Sequence, residues 1–503
     1  MPIQHPTRSI LRSILDFVML IVVLIFTGPF VKIFDYFSMS SRNCFTTHKR
    51  HAKKVANVQA QVRRWIQGGR KGQMCSARPG WKSFSIHKVD KRGFYQVEVD
   101  LNDIIEIDVV KKRLTIEPGM MMGQLTKILT DKGFTIPVVP ELDTLTVGGL
   151  ICGGGIETSS HHHGLFSDVV TSFELVTADG DVLNCSETEN SDYFYAVPGS
   201  SGTVGFLTSA TIPLIPAGKY MQIEYVHVDS IPNAVKLMQQ RNKNHAYVEG
   251  IIYSMTDVML MFGDMTSNPS DPSRINYINR WYKPFFHNIV ENVMNNIKSS
   301  KNNAKYIEYF PLRDYFHRHS RGMFWQAENT LPALSNPLIL LLFGWLHPLN
   351  THAVWRLLPK FVIRFITGDQ LLQDFCVPTV KLDEFLQKCD TIFKVYPIWL
   401  CPVKMQNKSM AKTPEIYGGD YMDLGFYGPP INSEHSISDR IRECEQYMLK
   451  NNGFLGIYAE IFLTKGELRQ IHCTAAYDKV RNSSSSCRQG FPDVFDKITR
   501  RIK

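Results

Sequence analysis

The stretch that most limits how this chain can fold is Thr146–Gly164, TVGGLICGGGIETSSHHHG. Five glycines stand close together at Gly148, Gly149, Gly153, Gly154 and Gly155, with Thr158, Ser159 and Ser160 behind them. Glycines crowd where the backbone must take positive φ or let a partner approach with no Cβ in between. Successive N–H groups exposed in such a loop form a concave anion site, and phosphate is the usual guest. Val169–Val176 then reads as a strand, Asp179 and Gly180 as its turn, and Val182–Cys185 as the return strand. A second glycine-rich loop, Pro198–Gly205 with Gly202 inside it, precedes another apolar strand, Phe206–Ile215. Together these read as the phosphate- and ring-binding centre of a dinucleotide site. A glycine-rich surface loop with no ligand is the competing reading.

Two familiar nucleotide motifs are excluded. A Rossmann fingerprint needs GxGxxG between a strand and a helix; Gly153 and Gly155 supply its first half, and position 158 is Thr. A Walker loop needs Gly-Lys followed by Ser or Thr, and the chain has no such match.

The net charge of +9 points toward nucleic acid until it is located. Residues 1–65 carry ten Lys/Arg against Asp16 and Asp35, so the body of the chain is near neutral. That argues against a nucleic-acid-binding body. Phe17–Val31 has no charged residue, and Ile33, Phe34, Tyr36 and Phe37 extend it past Lys32. This qualifies as a membrane span if Lys32 snorkels. A cleaved signal peptide, with Arg8 and Arg12 as its basic start, is the rival. The basic cluster His48–Lys54 favours an anchor that keeps the downstream chain cytosolic. The ten cysteines run singly from Cys44 to Cys487 with no CxxC pair. This is neither a zinc pattern nor a disulfide framework, and it fits reduced thiols in the cytosol.

Val55–Gln67 is expected to be helical, ended by Gly68 and Gly69. Ser76–Ile86 reads as a tight loop feeding a strand, Ile104–Ile107 and Arg113–Glu117 as a hairpin, and Met122–Asp131 as a short amphipathic helix. Short strands and helices without βαβ alternation predict an α+β fold. Beyond Met221, Ala246–Tyr253 and Val258–Phe262 read as strands. Leu338–Leu349 is strongly apolar but too short to span a bilayer. A buried core helix is the first reading, and a surface dipping into a membrane or lining an apolar tunnel is the second. Phe454–Leu463 reads as a strand, Ser483–Ser486 as a surface loop and Phe491–Ile502 as a final helix.

The pieces SARPGW, PELDTLTVGGL, GIETSSHHHGLF, ENSDYFYAVPGSSGTVGF, HRHSRGMFW, VYPIWLCP and FPDVFDKI together resemble the Δ24-sterol reductase (diminuto/dwarf) family, within the vanillyl-alcohol-oxidase-like FAD flavoproteins. The resemblance runs from about residue 55 to the C-terminus. It implies an N-terminal membrane anchor (1–54), a PCMH-type FAD-binding domain (55–225), an α+β cap domain (226–430) and a C-terminal segment (431–503) returning to the FAD domain. It implies reduction of the C24–C25 side-chain double bond of a sterol, with electrons passing from NADPH to FAD to the alkene. The implied setting is the endoplasmic reticulum membrane, with the Golgi membrane as a second location and the catalytic part in the cytosol.

By the same resemblance FAD is held by Thr146, Val147, Gly148, Gly149, Leu150, Ile151, Cys152, Gly153, Gly154, Gly155, Ile156, Glu157 and Thr158, with Gly202 from the second loop. Arg78, Pro79, Gly80 and Trp81 form the second diphosphate contact. That loop has no histidine, so the FAD is expected to be non-covalent. An isolated alkene needs an apolar slot, a flavin hydride and a proton source. The candidate donors are Tyr458, His317 and His319, each weighed against a core residue with satisfied polar atoms. His317, Arg318, His319 and Arg321 form a basic cluster that could fork onto the extra phosphate of NADPH or could be a solvated face. His161–His163 are consecutive and do not converge on one ion from a strand, so no metal is expected. An oxygen-using alcohol or aldonolactone oxidase of the same superfamily and a non-catalytic sterol-binding protein are the rival functions. Oligomeric state is not legible.

Overall fold

The computed structural model describes residues 45–78, 91–300, 306–330, 332–346, 370–406 and 419–499. The expected membrane helix lies outside these residues, as do Pro79, Gly80 and Trp81. Among the described residues no helix is long and apolar enough to cross a membrane.

The first described helix, His48–Gln67, starts seven residues before the expected Val55. Thr47 caps it, its hydroxyl accepting from the Arg50 N–H at 3.2 Å, which satisfies one of the orphan donors of the first turn. Its inner stripe, Val55, Val58, Val62 and Trp65, is buried at helical spacing. The early start has an electrostatic cause. His51 Nδ1 bonds Glu117 Oε1 at 2.9 Å and its Nε2 faces Glu174 Oε1 at 3.4 Å. Lys54 Nζ bonds Asp103 at 2.5 Å and Glu117 at 2.8 Å. Within the basic cluster His48–Lys54, His51 and Lys54 are docking contacts to the sheet.

The helix packs on a five-stranded antiparallel sheet: β1 (Ile104–Asp108), β2 (Arg113–Ile116), β3 (Ser172–Val176), β4 (Val182–Ser186) and β5 (Phe206–Pro213), in the order β1-β2-β5-β3-β4. The hairpins read from sequence around Lys111 and around Asp179-Gly180 are present, with Gly180 at φ 81° in its turn. A short parallel pair, Met74–Ser76 with Tyr95–Val97, stands beside them. A second antiparallel sheet follows: β6 (Tyr220–Val228), β7 (Tyr247–Ser254), β8 (Asp257–Thr266), β9 (Tyr306–Pro311), β10 (Leu371–Pro378), β11 (Ile398–Lys404), β12 (Asp420–Gly428) and β13 (Phe454–Leu455). Its eight strands run in the order β9-β6-β8-β7-β11-β12-β10-β13. One continuous apolar core reaches from Val55 to Ile498. The fold is α+β, as the sequence pattern predicted.

Several expectations change. Thr146–Gly164 contains two helices, Val147–Gly153 and Ser160–His163, rather than open loop throughout. Phe454–Leu463 keeps strand pairing only at Phe454 and Leu455, because Gly456 lets the chain fold back over the Tyr458 ring. The described part of Leu338–Leu349, up to residue 346, is not a buried core helix: Pro337–Phe343 is helical, and Leu338, Leu341, Leu342 and Trp345 are 63, 55, 53 and 51% exposed. Ser483–Ser486 is no surface loop; Ser484 caps the helix Ser485–Gly490, and Ser486 and Cys487 are buried. The last described helix, Val494–Thr499, starts three residues after the expected Phe491, which lies in the core; residues 500–502 are outside the described residues. The C-terminal helices sit on the second glycine loop: Tyr477 Oη meets Thr203 Oγ1 at 3.0 Å, and Arg481 donates to the Thr203 carbonyl at 3.0 Å.

His51 ties helix to sheet in a pH-dependent way. Burial lowers its pKa, but hydrogen bonds to Glu117 and Glu174 outweigh that and raise it to about 9. The folded state therefore binds this proton more tightly, so the stabilisation is full below the unfolded value of 6.5 and fades as pH rises through about 9. In thermal melts from pH 6 to 10, the difference in stability between wild type and His51→Gln should shrink as pH rises. Parallel curves would refute the linkage.

Candidate active site

The cradle is built from its glycines outward. Thr146 caps the helix Val147–Gly153, its Oγ1 accepting from the Gly149 N–H at 3.3 Å. Gly148 lies flat on Pro118: its N–H donates to the Pro118 carbonyl at 2.8 Å, and a Cβ there would stand 2.7 Å from Pro118 Cβ. Beyond Gly153 a Cβ would meet nothing within 4 Å. Gly154 ends the helix at φ 94°, a conformation side chains avoid. At Gly155 a Cβ would stand 2.8 Å from Leu150 Cδ2. The bare backbone at 153–155 therefore leaves room on one side and packs tightly on the other, as a surface that a flat cofactor approaches must do. Gly202 sits in the second loop at φ 69°, and that loop is tied to the cradle by the Ser201 N–H donating to the Cys152 carbonyl at 2.9 Å.

The far end of the cradle is locked to the large sheet. Arg318 Nη2 bonds Glu157 Oε1 at 2.8 Å and Glu249 Oε2 at 2.7 Å, with its side chain 0% exposed. Glu249 also accepts from Tyr315 Oη at 3.0 Å and from the Trp399 indole at 2.9 Å. The Val248 N–H donates to the Thr158 carbonyl at 2.8 Å. Buried charges persist only when paired and hydrogen-bonded; here two carboxylates from different elements share one guanidinium.

Between Gly154, Gly155 and Ile156 on one side and the strands β10, β11 and β12 on the other lies a small cleft. Pro140, Leu145, Leu150 and Trp399 give it apolar walls, and Glu141, Asp374, Asp423, Tyr427 and Tyr458 give it titratable ones. Register explains the grouping: Asp374 and Trp399 both pair with Gly425, so they share a cross-strand row. A Cβ at 425 would collide with the Tyr427 hydroxyl, and its absence lets that hydroxyl reach Asp374. Tyr458 hydrogen-bonds the same carboxylate. Burial raises Asp374 to about 6 against the opposing effect of the two tyrosine hydroxyls. Burial likewise pushes Asp423 and Glu141 upward, and their carboxylate neighbours add to it. Tyr458 is driven well up by burial and by Asp374, which keeps it a phenol and a donor at neutral pH.

The structure brings Tyr458 together with Leu150, Gly154, Gly155 and Ile156 of the cradle. His317 and His319 are elsewhere. His317 is buried with its Nε2 2.7 Å from Thr126 Oγ1, and burial holds it down to about 3. His319 is buried flat against Phe324, ring centres 4.1 Å apart. Arg318 spends its charge on Glu157 and Glu249, and Arg321 donates to the Arg280 and Lys283 carbonyls, so this basic cluster is no solvent-facing phosphate fork. His161 and His162 both donate through Nε2 to the His245 carbonyl, at 2.9 and 3.0 Å. Arg78 is described; its loop partners Pro79, Gly80 and Trp81 are not. Asp374, Asp423, Glu141, Tyr427 and Trp399 were missed from sequence. The available signal was an acid amid largely apolar residues in the middle of each of two strands, Asp374 in LLQDFCVP and Asp423 in DYMDLGFYG.

Arg318→Met should cost about 3–5 kcal/mol, because it strands two buried carboxylates. Urea unfolding measures this, and an unmoved midpoint would contradict the locking role.

Comparison with known proteins agrees with this geometry. Residues 54–186 match the family model of the FAD binding domain. Delta(24)-sterol reductase of Homo sapiens is 37% identical over 97% of this chain and 95% of its own length. The Delta(24)-sterol reductase homolog of Caenorhabditis elegans is 32% identical over 99% and 98%. That of Pisum sativum is 32% identical over 88% and 85%. With identity at this level along nearly the whole length, the chain belongs to the Delta(24)-sterol reductase family.

Proposed function

We propose that this protein is an FAD-dependent oxidoreductase that reduces the C24–C25 double bond in the side chain of a sterol, with NADPH as electron donor. The observation that carries the reading is the cleft in which the glycine cradle, an apolar wall and the Tyr458–Asp374 pair face one another, in a chain related over nearly its full length to Delta(24)-sterol reductases. FAD, held without a covalent link by Thr146–Thr158, Arg78–Trp81 and Gly202, supplies the hydride chemistry when bound.

The residues of the chain do the rest. Leu145, Leu150, Ile156 and Trp399 exclude water and accept a hydrocarbon tail, which has nothing to offer a hydrogen-bond donor. Tyr458 holds its proton at Oη beside the cleft, and its raised pKa keeps that proton in place until a carbon accepts it. Asp374 orients the hydroxyl and, near its pKa of about 6, returns a proton to Tyr458 after transfer. Asp374 is the positioning residue and Tyr458 the donor. His317 and His319, weighed as donors from sequence, support the cap structure in this reading.

The same proposal divides the chain at 1–54, 55–225, 226–430 and 431–503, with a single-pass anchor in the endoplasmic reticulum or Golgi membrane ahead of the docked helix His48–Gln67 and the body in the cytosol. The exposed row Leu338, Leu341, Leu342 and Trp345 supports a body that lies close to a bilayer, where its substrate resides. The rival oxidase reading is separated by anaerobic NADPH, which bleaches the flavin of a reductase and leaves that of an oxidase oxidised.

Tyr458→Phe should lower turnover of a Δ24 sterol about 10²–10⁴-fold, the range for a lost general acid, with bound flavin unchanged. Sterol product and flavin absorbance are read on the same preparation. Full turnover with full flavin removes Tyr458 from the mechanism.

A further inference from the structure

Two lysines beside the cradle play no part in the reading above. Lys497 lies on the last described helix, Val494–Thr499, and its Nζ turns inward to the Ser201 carbonyl. It lies 3.8 Å from where a Cβ of Gly202 would be. Lys91 precedes the strand Tyr95–Val97, and its Nζ donates to the Ser76 and Arg78 carbonyls. The two are close enough that, after burial, the charge of Lys91 is the next largest influence lowering Lys497 to about 8; Cys152 and Cys75 oppose it. Burial also lowers Lys91, and Arg78 adds to this while Cys75 opposes it. Among the described residues no carboxylate pairs with either ammonium or acts on its titration. Asp493, on the same turn as Lys497, is taken by Lys465 and Arg469.

Three separate parts of the chain are involved: Lys497 reaches the loop at Ser201–Gly202, that loop bonds the end of the helix Val147–Gly153 at Cys152, and Lys91 reaches the loop after Met74–Ser76. All three belong to the segments already assigned to FAD. Two like charges near each other in a desolvated place are unfavourable, and an anion bound between them would relieve that cost. A diphosphate has the charge and the acceptor oxygens to take both ammonium groups.

We propose that Lys91 and Lys497 clamp the diphosphate of the dinucleotide between them, so that the C-terminal helix closes the FAD site. The clamp rests on the flavoprotein reading and extends it to residues outside the glycine-rich segments. It also gives the C-terminal segment a reason to return to the first sheet: its lysine completes a site that the glycine loops alone leave uncompensated.

The test uses the full chain in detergent, stripped of flavin, with binding read by quenching of flavin fluorescence. FAD and riboflavin are compared, because riboflavin has the ring but no diphosphate. Lys497→Met and Lys91→Met should each weaken FAD about 10–100-fold, the span for losing a charged hydrogen bond, and leave riboflavin unchanged. Lys497→Arg should retain FAD within a few-fold. Unchanged FAD binding in both Met variants overturns the clamp, and so does equal weakening of FAD and riboflavin, which marks a merely structural role. If Lys497→Met fails to fold, Lys91→Met and Lys497→Arg decide between these outcomes. Wild-type protein that binds neither flavin defeats the flavoprotein reading itself; wild-type binding with indifferent variants defeats the clamp alone.

Discussion

Arg318, shared between Glu157 and Glu249 with no exposed surface, is the contact on which the rest of the site depends. Glu157 closes the glycine cradle, and Glu249 sits in the middle of β7. One guanidinium thus fixes the distance between the surface that receives a cofactor and the sheet that carries the acids. Trp399 bonds Glu249 and lines the cleft, so the lock and the apolar wall are parts of one network. A buried ion pair of this kind adds little net stability, but breaking it is costly. Its contribution is geometric.

In the proposed reaction the cleft answers a chemical problem. An unactivated alkene gives a protein no polar handle, so the pocket must combine hydrocarbon walls with a proton donor that stays protonated until used. Burial accomplishes both. It raises Tyr458 so that the phenol persists, and it raises Asp374 into the range where a carboxyl can pass a proton on near neutrality. Gly425 lets a second hydroxyl, that of Tyr427, reach Asp374 by leaving out the side chain that would stand in its path.

How much of this was legible in the sequence depended on the range of the interaction. Glycine clusters and Asp-Gly turns act through local backbone preference, so the turn at Gly154 and the hairpin at Asp179-Gly180 could be read directly, while the helices Val147–Gly153 and Ser160–His163 could not. Strands with alternating or fully apolar texture, such as Ala246–Tyr253, were equally plain. The early start of the first helix was hidden because His51 and Lys54 find Glu117 and Glu174 only after folding. Leu338–Leu349 looked like core because apolarity does not say which side of the surface it faces. His317 and His319 drew attention as a histidine cluster, while Asp374 and Asp423, isolated in apolar strands, meet Tyr458 only through sheet register.

The central claim is that electrons held in this cleft go to a sterol side chain. The direct measurement is to load the protein with FAD, reduce it without oxygen, and add a sterol bearing the C24–C25 double bond. Return of the oxidised flavin spectrum, with a saturated side chain formed as it returns, is the expected result. A flavin that stays reduced until oxygen is admitted, with the sterol untouched, would contradict the account.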